Sequence, residues 1–453
     1  MNRDDRRAEL YEWQRSLADK MVKTLTVGRV CICGATTGAG KTYLALDVIR
    51  RLNIVTLVVC PKAAIFQWRH AAREFGCEDL LLDVINPQKI SKRSGCAFYT
   101  REAGWSLPEN ALVVFDEYQR YASGNSIGHE MPITAQAVKR LRDVAGAKMM
   151  VLTATLADTP LKMEALGYWM DWNDGHYTFV SWCLHHGCGW QKYGWDSYSL
   201  EPIRWLIPDA MARIRKDMGE RYVSVAPDQI PNFPDEVREV VYVDLDAHDH
   251  AALVKAYEDM PPACREMSHD DRVRQLRARQ RAEFCKAKAL ADLAVDLEAD
   301  GLSVFIVVNF TDTRMRIEEA LRKKGISFVS VHGNQSDDAR ERAIGAFQRN
   351  DVHILIATAQ AGGVALSLHD VHHERPRVSL ISPGYSAADF MQSLGRIRRV
   401  GGTLVVQKVV IVAHSVEEHV GRRLEWKLRN LAEFGKSLDD ADLQRDVGLL
   451  HKK

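Results

Sequence analysis

The stretch Val30-Cys-Ile-Cys-Gly-Ala-Thr-Thr-Gly-Ala-Gly-Lys-Thr42 decides how this chain is read. Its first four residues form the short apolar run of a buried strand, and a helical pattern resumes at Tyr43. Between them, small residues let backbone N–H groups wrap an anion, and the start of the helix adds positive potential. Lys41 can then reach the β- and γ-phosphates of a nucleotide and Thr42 can hold a magnesium ion, with Thr37, Gly38, Ala39 and Gly40 as the cradle. The pattern GxxxxGK[ST] fails at one position, because Ala35 stands where its first glycine belongs.

Downstream, the apolar run 111–115 leads straight into Asp116-Glu-Tyr-Gln119. That puts two carboxylates at the C-terminal end of a strand, where open α/β sheets bind their ligands. An acidic pair there is often only a solvated strand end, but after a phosphate-binding loop it reads as a Walker B site. Asp116 would hold Mg²⁺ through water and Glu117 would polarise the attacking water. The expected cofactors are therefore ATP and Mg²⁺.

Apolar, β-branched runs recur between amphipathic stretches on either side of this pair, the pattern of parallel sheets covered by helices. They lie at 30–33, 55–60, 111–115 and 148–152, and again at 303–308, 327–331, 353–357, 378–381 and 405–412. The fold class is α/β with two lobes. The spacing predicts a first lobe over 1–168, an inter-lobe linker with helical protrusions over 169–300, a second lobe over 301–430 and a tail over 431–453. At 453 residues the chain has room for two or three domains. No apolar run approaches the roughly 18 residues that span a bilayer, so no membrane partner is expected. MNRDDRRAEL is too polar for a secretory signal. Nine cysteines without paired spacing suit reduced thiols in a cytosol-like compartment. With a net charge of +1, any nucleic-acid track must be a local patch.

Taken in order, the motifs resemble those of the superfamily-two DExx-box ATPases, which carry A-x-T-G-x-G-K-T in the phosphate loop. Further stretches are similar to the Swi/Snf-type branch, and the likeness covers nearly all of residues 10–430. It implies two tandem RecA-like lobes. In Leu10-Tyr-Glu-Trp-Gln14 it makes Gln14 a reader of the adenine edge, although an exposed glutamine on an N-terminal helix would look the same. Leu57-Val-Val-Cys-Pro-Lys62, with Trp68 beyond, looks like motif Ia, so Pro61 and Lys62 would contact a DNA backbone. Leu152-Thr-Ala-Thr155 resembles motif III, which gives Thr153 and Thr155 a coupling role. The run 358–368, TAQAGGVALSL, looks like motif V, with Thr358, Gly362 and Gly363 approaching DNA or nucleotide. Gln392-Ser-Leu-Gly-Arg-Ile-Arg-Arg399 resembles motif VI, in which Arg396 and Arg399 would reach across a cleft and neutralise charge on the transferring phosphoryl group. Arg398 falls outside that pattern and is expected to be solvated. His332-Gly333, Arg340, Phe347, Tyr385 and the segment 415–427 agree with the family's order. A weaker likeness, from Phe179 through Trp195 to Arg213 and Arg215, is to the linker of the annealing-helicase, fork-remodelling branch.

The resemblance implies ATP-dependent translocation on double-stranded or branched DNA, with single-stranded DNA as a further partner. A strand-separating DNA or RNA helicase is the alternative. An ATP-gated clamp without motor activity is a third reading, disfavoured because a pure switch needs no water-polarising carboxylate. Cys183, His185, His186 and Cys188 cluster soft and imidazole groups, but no second ligand pair follows them to complete a zinc site. Arg272, Arg274, Arg277, Arg279 and Arg281 crowd one helix at a spacing that scatters them around it, as on a solvated face.

Overall fold

The computed structural model describes residues 9–92, 96–120, 131–156, 160–190, 200–202, 210–258, 269–333, 335–359, 366–384 and 386–413, with scattered positions between 417 and 432. The chain divides into two compact units, each built on its own six-stranded sheet. The first sheet comprises β1 (Val30–Cys33), β2 (Thr56–Val59), β3 (Leu81–Ile85), β4 (Leu112–Asp116), β5 (Lys148–Leu152) and β6 (Tyr222–Val223). Their order is β6-β1-β5-β4-β2-β3, and every neighbouring pair is parallel. The second sheet comprises β7 (Glu236–Val243), β8 (Ser303–Val308), β9 (Val329–Val331), β10 (Ile354–Thr358), β11 (Arg377–Ile381) and β12 (Val405–Val412). It runs β7-β12-β11-β8-β10-β9, again parallel throughout. Parallel neighbours need crossover connections, which helices supply, and the result is two RecA-like lobes.

The central strands β1, β2, β4, β8, β10 and β11 are buried along their whole length. Burial on both faces makes such strands continuous apolar runs, which is why the sequence located them. Three strands of these two sheets escaped it, and all three are sheet edges. β3 carries Asp83 and is only half covered. β6 is two residues long. β7, EVREVVYV, has no fully buried residue. Edge strands tolerate charge and brevity because one side lacks a partner.

The stretch expected as a linker is shared between the units. The first contains residues 197–231 and the second 232–429. The reason is apolar burial: Phe179, Cys183, Met211, Ile214 and Met218 lie in the same core as Val30, Phe115 and Val151. Large rings from this stretch, Trp169, Phe179 and Tyr222, fill the same core. On the other side, helix Ala287–Ala299 packs Leu290, Ala291 and Ala294 against Val304, Ile306 and Ile354 of the second sheet. The tail beyond 432 lies outside the described residues. No helix among the described residues is long and apolar enough to cross a membrane. The described cysteines are free thiols and, Cys96 apart, buried.

Candidate nucleotide site

β1 ends at Cys33, and the loop after it turns into helix Lys41–Leu52. Gly38 and Gly40 carry it there with φ of 83° and 76°, the left-handed region that glycine adopts without strain. A Cβ on Gly40 would also come within 2.6 Å of Gln14 Nε2. Gln14 is 4% exposed, which removes the reading of it as a solvated glutamine. Its Nε2 donates to Ala39 O at 2.9 Å and its Oε1 accepts from Tyr11 N at 3.0 Å, so helix Glu12–Val27 is pinned to the loop. Lys41 Nζ donates to Ala35 O and Thr36 O at 3.0 and 3.1 Å, which holds its ammonium on the loop. A helix N-terminus, a glycine turn and a lysine thus converge where a phosphate chain would be cradled.

The two carboxylates stand at the end of β4, next to β1's other neighbour β5. Asp116 is buried, and Trp68 Nε1, from helix Ile65–Glu74, donates to its Oδ2 at 2.9 Å. Burial first, and the negative Glu117 second, push the Asp116 carboxyl up to about 6, against the opposing pull of the Trp68 indole and the Lys41 charge. A carboxylate that is costly to ionise alone, beside a second carboxylate and a lysine, suits a divalent cation. Glu117 has φ 54°, unusual for a residue with a Cβ. Strain of this kind costs on the order of 1–3 kcal/mol and clusters at active sites. Here Glu117 N donates to Leu152 O at 2.9 Å, and Gln119 Nε2 donates to Glu117 Oε2 at 2.6 Å. Thr153 Oγ1 in turn donates to Gln119 Oε1 at 2.6 Å, and Thr155 N donates to Thr153 Oγ1 at 3.0 Å. The carboxylate motif is thereby wired to the Thr153–Thr155 stretch. In sequence Trp68 and Gln119 are only members of their motifs, and nothing in the spacing of either assigns it this task.

Of the expected DNA contacts in the first unit, Lys62 is exposed and Pro61 buried at the start of a short 3₁₀ turn. In the second unit, Thr358 ends β10 and Gln392 is buried in helix Ala387–Leu394. Arg396 Nη1 and Arg399 Nη2 both donate to Leu366 O, at 3.4 and 2.8 Å. Arg398 is not solvated as expected: its Nε donates to Pro234 O, its Nη1 pairs with Glu236 at 2.8 Å and its guanidinium lies over Phe233. It clamps the start of β7. Gly362, Gly363 and Tyr385 lie outside the described residues. Cys183 and Cys188 are buried, His185 is exposed, and His186 pairs with Asp217 at 2.7 Å. On helix His269–Cys285, Arg274, Arg277 and Arg281 are exposed and Arg279 is half-buried.

Comparison with known proteins finds helicases. Residues 285–401 match the helicase conserved C-terminal domain. A protein of Acanthamoeba polyphaga mimivirus named as an ATP-dependent RNA helicase is 25% identical over 96% of this chain and 85% of its own length. The SNF2 domain-containing protein ENL1 of Oryza sativa subsp. japonica is 30% identical, over 32% of this chain and 14% of that protein. The DNA repair protein rad5 of Neurospora crassa is 31% identical over 30% of this chain and 11% of that one. These last two matches therefore cover a small part of much longer proteins. Among solved structures, the Sulfolobus solfataricus SWI2/SNF2 ATPase core in complex with dsDNA aligns over 93% of this chain and 92% of that one, with a TM-score of 0.39 and 15% identity. The chain is an ATP-hydrolysing enzyme of the helicase type. Over about a third of its length it is also similar to proteins named for the SNF2 domain and for rad5.

Proposed function

We propose that this enzyme couples ATP hydrolysis to movement along double-stranded or branched DNA. In this reading Gln14 and the loop 37–42 hold ATP, while Thr42 and Asp116 hold Mg²⁺. Glu117 polarises the attacking water, and Arg396 and Arg399 supply positive charge to the transition state. The observation that carries the chemistry is the linked set Trp68–Asp116 and Glu117–Gln119–Thr153, which fixes two carboxylates beside the phosphate loop. The duplex track rests on the motif V run 358–368 and on the SNF2- and rad5-named relatives. Pro61, Lys62, Thr358, Gly362, Gly363 and Gln392 are the proposed contact and coupling residues.

A second reading, an RNA or strand-separating helicase, is favoured by the name of the mimivirus relative, which matches almost the whole chain. The ATPase rate measured against duplex, forked and single-stranded DNA and against RNA separates the two. Duplex or forked DNA should stimulate strongly and RNA hardly at all. Stimulation should fall steeply with added salt, because a chain of net charge +1 binds DNA through a local set of phosphate contacts. A triplex strand displaced without melting the duplex beneath it would match translocation. Activation by RNA or single strands alone, with unwinding of a tailed substrate, would install the helicase reading instead.

A further inference from the structure

Gly34 opens the phosphate loop, yet its backbone lies outside the left-handed region and would accept any residue. What forbids a side chain there is Tyr222. A Cβ on Gly34 would fall within 3.0 Å of the phenol Oη, Cζ and Cε2 together. Tyr222 begins β6, the edge strand that the sequence did not reveal, with Ile32 opposite Tyr222 and Cys33 opposite Val223. The strand's continuation is bonded to the loop itself: Gly34 N donates to Val223 O at 2.8 Å and Thr36 N to Val225 O at 3.4 Å. The Arg215 guanidinium, from helix Ala210–Met218, lies 4.0 Å from the Tyr222 ring centroid. Such a cation over a ring is attracted by the ring's negative face. The first residues of the loop are thus fixed by backbone hydrogen bonds along the segment 223–225 and by a phenol packed on Gly34.

We propose that Tyr222 is a positioning residue for the nucleotide, setting the entrance of the phosphate loop from a segment just before the chain leaves the first unit. This rests on the reading of the loop as the ATP site. A phosphate cradle works only when its amides are already aimed, so a loop released at Gly34 binds ATP less well while the carboxylates that cleave it stay in place. The geometry also predicts a specific coupling. Gly34 tolerates no methyl because of Tyr222, so shortening Tyr222 should make room for one.

The test measures ATP affinity by titration with a fluorescent ATP analogue, and KM and kcat by steady-state hydrolysis, on the full chain. Tyr222→Ala should raise KM and Kd about ten-fold with kcat within about three-fold, and Tyr222→Phe should restore both to within about two-fold. Gly34→Ala alone should also weaken binding at least about ten-fold, whereas Gly34→Ala with Tyr222→Ala should be no worse than Tyr222→Ala, because the two residues share one contact. Unchanged affinity in Tyr222→Ala, or additive losses in the double variant, overturns the proposal. If Tyr222→Ala does not fold, loss of affinity in a folded Gly34→Ala together with wild-type affinity in Tyr222→Phe supports it, and wild-type affinity in Gly34→Ala overturns it. Lys41→Ala serves as the control: if it still binds ATP, the nucleotide-site reading itself fails. If it loses ATP while the Tyr222 and Gly34 variants behave as wild type, only this inference fails.

Discussion

The carboxylate motif of the first unit and the arginine motif of the second are held in different ways. Asp116 and Glu117 sit in a web of side chains, with Trp68 on one and Gln119, itself bonded to Thr153, on the other. Arg396 and Arg399 share a backbone carbonyl, Leu366 O, to which both guanidinium groups donate. A carboxylate fixed by side chains has its geometry set before any ligand arrives, and Glu117 also has a left-handed backbone. An arginine whose guanidinium sits on its own lobe's backbone brings charge, and its contribution lies in where that charge goes during turnover. On the proposed function, the first would be a preorganised catalytic group and the second a source of charge.

The largest expected effect tests the second half of that contrast. Arg399→Ala should keep nucleotide affinity within about three-fold but lower kcat about a thousand-fold, since such an arginine acts on charge that develops in the transition state. Lost affinity with normal turnover of what binds would make it a binding residue and undo the comparison. Glu117→Gln tests the first half. It should bind ATP and Mg²⁺ as the wild type does and hydrolyse at least about a hundred-fold more slowly. Unchanged turnover would leave the web around Glu117 without a catalytic purpose.

The smallest effect concerns the surroundings of Arg399. Burial first, and then the positive charges of Arg399 and Arg377, push the His369 imidazole down to about 4 from its usual 6.5. His369 is therefore neutral in the fold, and a depressed base stabilises the folded chain above the unfolded value and loses that contribution as pH falls. The thermal midpoint should drop between about pH 6.5 and 4, and His369→Gln should flatten that part of the profile. An identical pH profile in the variant would show that these charges do not reach His369.

The loop 34–42 and the pair Asp116–Glu117 were legible because their chemistry is local: residue types, spacing and the apolar run just before them suffice. The central strands were legible for a related reason, since burial on both faces writes a continuous apolar run into the chain. Gln14 was legible as a residue and not as a contact. Its place between Tyr11 and Ala39 depends on how a helix meets a loop 25 residues away. Motif order, the α/β class and the two sheets were thus set by the sequence alone. Tertiary structure decided what depends on distant partners. It placed the edge strands β3, β6 and β7, which are too short or too exposed to mark themselves in sequence. It drew Phe179, Met211 and Ile214 into the core that also holds Phe115. It set Trp68 on Asp116 and Tyr222 on Gly34, because a packing contact between residues far apart in the chain leaves no trace in the spacing of either one.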